Sequence, residues 1–297
     1  MEKNIPEHLN NRGLQRYANS HCNTDTLFPI GLHRYPDAYG DGFNTKTTST
    51  ATPNSMTPAQ RHHSKGLSLY DSGEYQKAIE EFSQTIELDP QYAEAYYIRG
   101  LSYANMGQYE RAIEDYDKAI ELVPQYAWAY NNRGSSYRKL GQYERAIEDY
   151  DKAIELEPQD PWAYDSRGLS YANLRQYVRA IEDYDKAIEL DPQLDLAYAN
   201  RGVSYDELGQ YERAIEDYDK AIELEPQFAQ AYASRASSYF LLKQDERAIQ
   251  DYNQAIKIDP NDGYAYYWRG QAHSQLGNSD QSAKDLAKAE ELGYEPD

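Results

Sequence analysis

The string GQYERAIEDYDKAIEL begins at Gly107, again at Gly141 and again at Gly209, and a near copy begins at Arg175. Each start lies 34 residues from the next. A period of that length identifies a chain of stacked supersecondary units, because one such unit is too small to bury its own apolar face and must pack on its neighbours. Extending the frame both ways gives seven units, at 59–92, 93–126, 127–160, 161–194, 195–228, 229–262 and 263–296. Residues 1–58 stand outside the period.

Each unit reads as two helices. In the second, Tyr96, Gly100 and Tyr103 mark a first helix by their spacing of four and three. Ala112, Ile113, Tyr116, Ala119 and Ile120 mark a second, so both are predicted to bury these residues. Gly107 between them supplies a left-handed turn, and Pro124 ends the second helix. Gly100 lacks a side chain and lets the two helices approach closely. Thr57-Pro58 reads as an N-cap followed by proline in the first turn, so the array is expected to start there. In the last unit the recurring isoleucines become Ala283 and Glu290, which predicts a capping helix. The expected organisation is an all-α array over 59–297 behind a mostly disordered segment, 1–58. Within that segment Asn44 to Pro58 is a Thr/Ser/Pro linker, and residues 1–43 hold scattered aromatics.

These units resemble the tetratricopeptide repeat family. Its signature sets an aromatic, a glycine and a tyrosine in the first helix, then alanine, an aromatic, alanine and a closing proline. Here those are Tyr96, Gly100, Tyr103, Ala112, Tyr116, Ala119 and Pro124, and the match recurs through six units. Two departures recur with it. Tyrosine stands where tryptophan is usual, at Tyr96, Tyr130, Tyr164, Tyr198, Tyr232 and Tyr266, and arginine replaces the leucine before the glycine. The Asn-Asn-Arg-Gly at 131–134 is similar to the variety common in bacterial arrays. The resemblance implies a right-handed α-α superhelical solenoid of seven helix-turn-helix repeats with a concave ligand groove.

Charge narrows the partners. The chain carries 50 Asp plus Glu against 30 Lys plus Arg, and the first 58 residues hold five of each sign, so the excess belongs to the array. An acidic body repels phosphate backbones and anionic lipid, so neither nucleic acid nor a membrane is expected as partner. One cysteine, Cys22, excludes an intramolecular disulfide. No signal peptide or membrane-spanning run is seen, and a cytoplasmic protein is expected. His8, His21, Cys22 and His33 lack the spacing of a zinc module, and the adjacent His62 and His63 point to different helix faces. No metal, cofactor or catalytic set is expected: there is no glycine-rich phosphate loop and no strand to carry a nucleophile.

The arginines before the glycine, at 99, 133, 167, 201, 235 and 269, each precede by sixteen residues an aspartate, at 115, 149, 183, 217, 251 and 285. In the first unit the two positions change together, to Lys65 and Glu81. That concerted change favours an ion pair inside each hairpin over an anion ladder. Glu114 and Lys118 are placed as an i,i+4 pair on a solvated outer face that also carries Glu110, Asp117 and Glu121.

The resemblance also implies which positions line the groove, and these differ between units while the second helices barely change. They are Trp128, Asn131, Asn132, Ser135, Arg138 and Lys139 in the third unit. In the fourth they are Trp162, Asp165, Ser166, Leu169, Ala172 and Asn173. In the fifth they are Leu196, Ala199, Asn200, Val203, Asp206 and Glu207. Tyr97, Ile98 and Leu101 extend the wall on one side, and Tyr264, Tyr267 and Trp268 on the other. Trp128, Trp162 and Leu196 are expected to form an apolar strip between Arg138-Lys139 and Asp206-Glu207. The lysines with which the family's chaperone-tail receptors hold a terminal carboxylate are absent, and only Asn132 or Asn200 matches one of their positions. The leading expectation is a scaffold that binds a peptide segment of another protein. Two alternatives are an array that displays 1–43 as a targeting or effector segment, and an accessory subunit of a separate enzyme. Neither the partner nor the oligomeric state is legible in the sequence.

Overall fold

A computed structural model describes residues 56–295, and among them there are fourteen helices and no strand. The expectations for the histidines and cysteine of the N-terminal segment, and for its disorder, fall on residues outside those described. Two compact units divide the chain after residue 159. In the first, α1 (Pro58–Asp71) pairs with α2 (Tyr75–Leu88), α3 (Ala93–Asn105) with α4 (Tyr109–Leu122), and α5 (Ala127–Lys139) with α6 (Tyr143–Leu156). In the second, α7 (Pro161–Asn173) pairs with α8 (Tyr177–Leu190) and α9 (Asp195–Glu207) with α10 (Tyr211–Leu224). There α11 (Ala229–Leu241) likewise pairs with α12 (Asp245–Ile258), and α13 (Gly263–Gln275) with α14 (Ser279–Glu291). Within each unit the second helix of one hairpin packs on the first helix of the next, as α2 does on α3 and α10 on α11.

Local chemistry sets the boundaries. Thr57 caps α1 reciprocally: its hydroxyl accepts from the Gln60 amide at 3.2 Å, and the Gln60 side chain accepts from the Thr57 amide at 2.9 Å. Such a cap contributes about 1 kcal/mol. First helices end in a left-handed residue, with Gly107 at φ 72°. There the Gly107 amide donates to the Ala104 carbonyl and the Gln108 amide to that of Tyr103, both at 2.9 Å. Arg175 and Lys243 occupy the same left-handed position at φ 59° and 60°. Second helices stop two residues before proline, as α4 does at Leu122 ahead of Pro124, because the residue before a proline is pushed out of the α region.

The middle of each of the first six hairpins is filled by one aromatic, and that of the seventh by Leu286. Tyr116, Tyr150, Tyr184, Tyr218 and Tyr252 are wholly buried, and Phe82 replaces them in the first hairpin. The glycine opposite makes room: a Cβ on Gly202 would lie 2.8 Å from the Tyr218 ring. The sixth hairpin has Ala236 at that place and still buries Tyr252.

The first helices are more deeply buried than an isolated amphipathic helix would be, and the expected face is shifted. Tyr96 and Tyr103 are half-buried, whereas Ala95, Tyr97, Ile98, Leu101 and Ala104 are buried. Four neighbours explain the shift: α3 touches its own partner α4, the preceding second helix α2 and the first helices on either side, α1 and α5. In the last hairpin Ala283 and Glu290 are exposed, and Tyr294 folds back against Tyr264 and Tyr267.

Candidate functional site

The expected ion pairs form in every hairpin. Arg133 donates from Nε to Asp149 Oδ2 at 2.8 Å and from Nη2 to Oδ1 at 2.6 Å, and the same fork recurs at Arg99, Arg167, Arg201, Arg235 and Arg269. Lys65 donates to Glu81 at 2.6 Å in the first hairpin. A further arm was not foreseen. Arg133 Nη1 reaches back to Asp117 on α4 of the preceding hairpin at 2.5 Å. Arg201 likewise reaches Asp185, Arg235 reaches Asp219, Arg269 reaches Asn253, and Arg99 reaches Ser83. Burial disfavours the charge on Arg133, but the hydrogen bonds to Asp149 and Asp117 outweigh it and hold the guanidinium above its usual range. The two departures from the family pattern are partners. The guanidinium of Arg133 sits 5.4 Å from the centre of the Tyr130 ring, and each arginine from 99 to 269 covers its own tyrosine at 5.2–5.7 Å.

On the outer face Lys118 pairs with Glu121 at 2.5 Å rather than with Glu114. Lys152–Glu155, Lys186–Glu189 and Lys220–Glu223 repeat that choice.

The candidate groove residues fall into two classes. In the first unit Trp128, Asn132 and Lys139 are half-buried, while Tyr97, Asn131 and Arg138 are buried. Trp128 packs on the core cluster that contains Tyr97, Tyr126 and Ala129. Asn132 donates to the Tyr97 hydroxyl at 3.0 Å, a bond between consecutive first helices. In the second unit Trp162 and Glu207 are half-buried, and Asp165, Leu196, Asn200 and Asp206 are buried. Leu196 is part of a cluster with Ala199, Phe228 and Ala231 on which Trp162 lies, so it is core and not part of an open strip. Asn200 donates to Asp165 at 3.2 Å, and Glu207 accepts from the Tyr177 hydroxyl at 2.9 Å. Ile98, Leu101, Tyr264 and Trp268 are likewise core rather than wall, with Trp268 edge-on to Phe240. Burial between neighbouring hairpins is the reason in each case.

Outside the arginine forks, Glu94 and Asp206 have carboxyls that burial raises. Glu94 lies 3.7 Å from His63, which is stacked on Tyr92; burial pushes the carboxyl up to about 7 and the imidazole down to about 4. Asp206 accepts from the hydroxyls of Tyr218 and Ser238, each at 2.8 Å, and burial pushes it up to about 7. Sequence reasoning missed this second role for the variable positions. The available signal was the central tyrosine itself, whose buried hydroxyl needs a partner that only a first helix can supply. Tyr252 finds Ser237 at 3.0 Å in the same way.

His62 meets Glu81 at 2.7 Å, and among the described residues no group of three His, Cys, Asp or Glu side chains is placed to hold a metal ion. No helix among them is long and apolar enough to cross a membrane.

Comparison with known proteins agrees with this geometry. Family models described as tetratricopeptide repeat match residues 63–127, 127–160, 162–194, 196–228 and 263–292, and a TPR repeat model matches 236–277. No curated protein matches the chain. Among solved structures, a tetratricopeptide repeat protein from Parabacteroides merdae is similar over 80% of this chain and 94% of its own, with 24% identity and a TM-score of 0.64. MamA from Desulfovibrio magneticus is 25% identical over 58% of this chain and 98% of its own, with a TM-score of 0.55. YrrB, described as a TPR protein with an unusual peptide-binding site, is 25% identical over 62% of this chain and 95% of its own, with a TM-score of 0.52.

Proposed function

We propose that this chain, which belongs to the tetratricopeptide repeat family, is a non-catalytic adaptor whose first helices hold a peptide segment of another protein. The observation that carries the reading is Trp128. It is anchored on the core of the first unit yet keeps part of its indole accessible, one turn before Asn132 on a helix that ends in Lys139. A held aromatic with a polar flank is the usual composition of a binding hot spot, because it offers large apolar area at little entropic cost. Trp162 and Glu207 are the accessible candidates of the second unit. The peptide-binding site of YrrB, a related structure, supports the same class of ligand. Among the described residues, acids of the second helices such as Glu121 and Asp149 are solvated or paired with lysine and arginine.

Selection of a displayed peptide library against the full chain tests this reading, followed by titration of the selected peptides. Trp128→Ala should weaken binding by about 2 kcal/mol, or roughly thirtyfold. Glu114→Ala, on the outer face, should leave affinity unchanged. Equal affinity of the Trp128→Ala and Trp162→Ala proteins and the wild type, with helical circular dichroism intact, would reject the first-helix site.

A further inference from the structure

Asp206 differs from the other aspartates that anchor the hairpins. Asp217 and Asp251, in the two hairpins it joins, each receive a two-pronged arginine. Asp206 is as buried as they are, yet among the described residues no ion pair reaches it. It projects from α9 into the contact with α10 and α11. Its neighbours there are Tyr218 from α10 and Ser238 from α11, and the charge nearest to it along α9 is Glu207, of the same sign. A carboxylate so placed has two hydroxyl donors and no cation to offset its removal from water, a combination that disfavours the charged form.

The hydrogen-bond geometry suits the protonated acid. Ser238 Oγ lies 2.8 Å from Asp206 Oδ1 and 3.2 Å from the Ser234 carbonyl. With a proton on Oδ1, Asp206 donates to Ser238, Ser238 donates to the Ser234 carbonyl, and Tyr218 donates to Oδ2. Every polar atom is then satisfied, since a hydroxyl both donates and accepts. With the proton gone, Ser238 must turn from Ser234 toward Asp206, and a bare negative charge remains in the interface. Water reaches that charge only if the fifth and sixth hairpins part.

We propose that the Asp206–Ser238–Tyr218 network is a proton-sensitive joint, which holds the fifth and sixth hairpins together while Asp206 is protonated and loosens them when it ionises. The joint is independent of the peptide reading, because it needs only the two hairpins.

The sign follows from linkage. Burial lifts the carboxyl from 3.8 to about 7 in the folded state, so the folded form binds the extra proton, and stability is lost as pH rises from about 4 to about 7. The test is hydrogen exchange on the full chain, read as protection after correction for intrinsic rates, at pH about 5.5 and about 8.5. In the wild type, opening of 195–207 and 229–241 should be about thirtyfold more frequent at the higher pH, while 143–156, which packs against neither Asp206 nor Glu94, should not share the change. Asp206→Asn keeps the shape and cannot ionise, so its protection at the joint should be flat across that range. A wild type without the local change, or an Asp206→Asn protein with the same change, would overturn the proposal. Should Asp206→Asn fail to fold, Tyr218→Phe carries the test. It removes a hydroxyl that donates to Asp206 in both states and more strongly to the charged one, so it must move the transition to higher pH, and an unmoved transition overturns the joint equally.

Discussion

The second helices α4, α6 and α10 carry the same fourteen residues, YERAIEDYDKAIEL. The first helices α3, α5 and α9, which pair with them, agree at Tyr, Arg, Gly, Ser and Tyr and at the alanine before them, and differ elsewhere. Repetition and variation therefore sit on opposite arms of each hairpin. In these repeats the second helix has one part to play: it supplies the central tyrosine, the arginine's aspartate and a solvated face. The first helix meets hairpins on both sides, so its variable positions are divided between accessible side chains such as Trp128 and polar links to adjacent hairpins such as Asn132–Tyr97 and Asp206–Ser238.

Arg133→Ala tests that division most severely, because the arginine is the charged residue that these variable helices share. Removing it leaves Asp149 buried without its partner, and breaking a buried pair from one side costs about 3–5 kcal/mol. With 18% of its side chain exposed, the lower end of that range is expected in chemical denaturation. Coupling with Asp149→Ala should appear in a double-mutant cycle, and absence of coupling would make the fork ornamental. Gly202→Ala should come next. Its Cβ meets the Tyr218 ring at 2.8 Å, and Tyr218 is tethered to Asp206, so overpacking of about 1–3 kcal/mol is expected. The tolerated Ala236 shows that the hairpin can adjust where the tyrosine is held differently, and a neutral Gly202→Ala would show that the tether does not matter. Arg175→Gly should have the smallest effect and the opposite sign. It relieves a non-glycine residue at φ 59° and should raise stability by about 1 kcal/mol, visible as a higher denaturation midpoint.

The fold was legible because the period, the turn glycine and the closing proline speak about neighbours in sequence. The cap at Thr57 and the Arg133–Asp149 fork were legible too, the latter because Lys65 and Glu81 changed together. The candidate site was legible only in part. Helical spacing reveals one buried face, and it pointed to Tyr96, whereas Tyr97 is the more buried because α3 lies against α1 as well as α2 and α4. For the same reason Leu196, Asn200 and Asp206 read as surface in a repeat taken alone and become interior once the next hairpin arrives.

The backward arm of Arg133 also gives the repeats a direction in time. Its acceptor Asp117 lies sixteen residues nearer the N-terminus, so on a ribosome that carboxylate has left the exit tunnel before the arginine does. Each emerging hairpin meets a finished edge that already offers a place for its guanidinium, and domains made in that order can fold while the rest is still being translated. A chain of near-copies is at risk of pairing the wrong ones, and a nascent hairpin whose first available acceptor belongs to its immediate predecessor is steered toward the right neighbour before any later copy exists to compete.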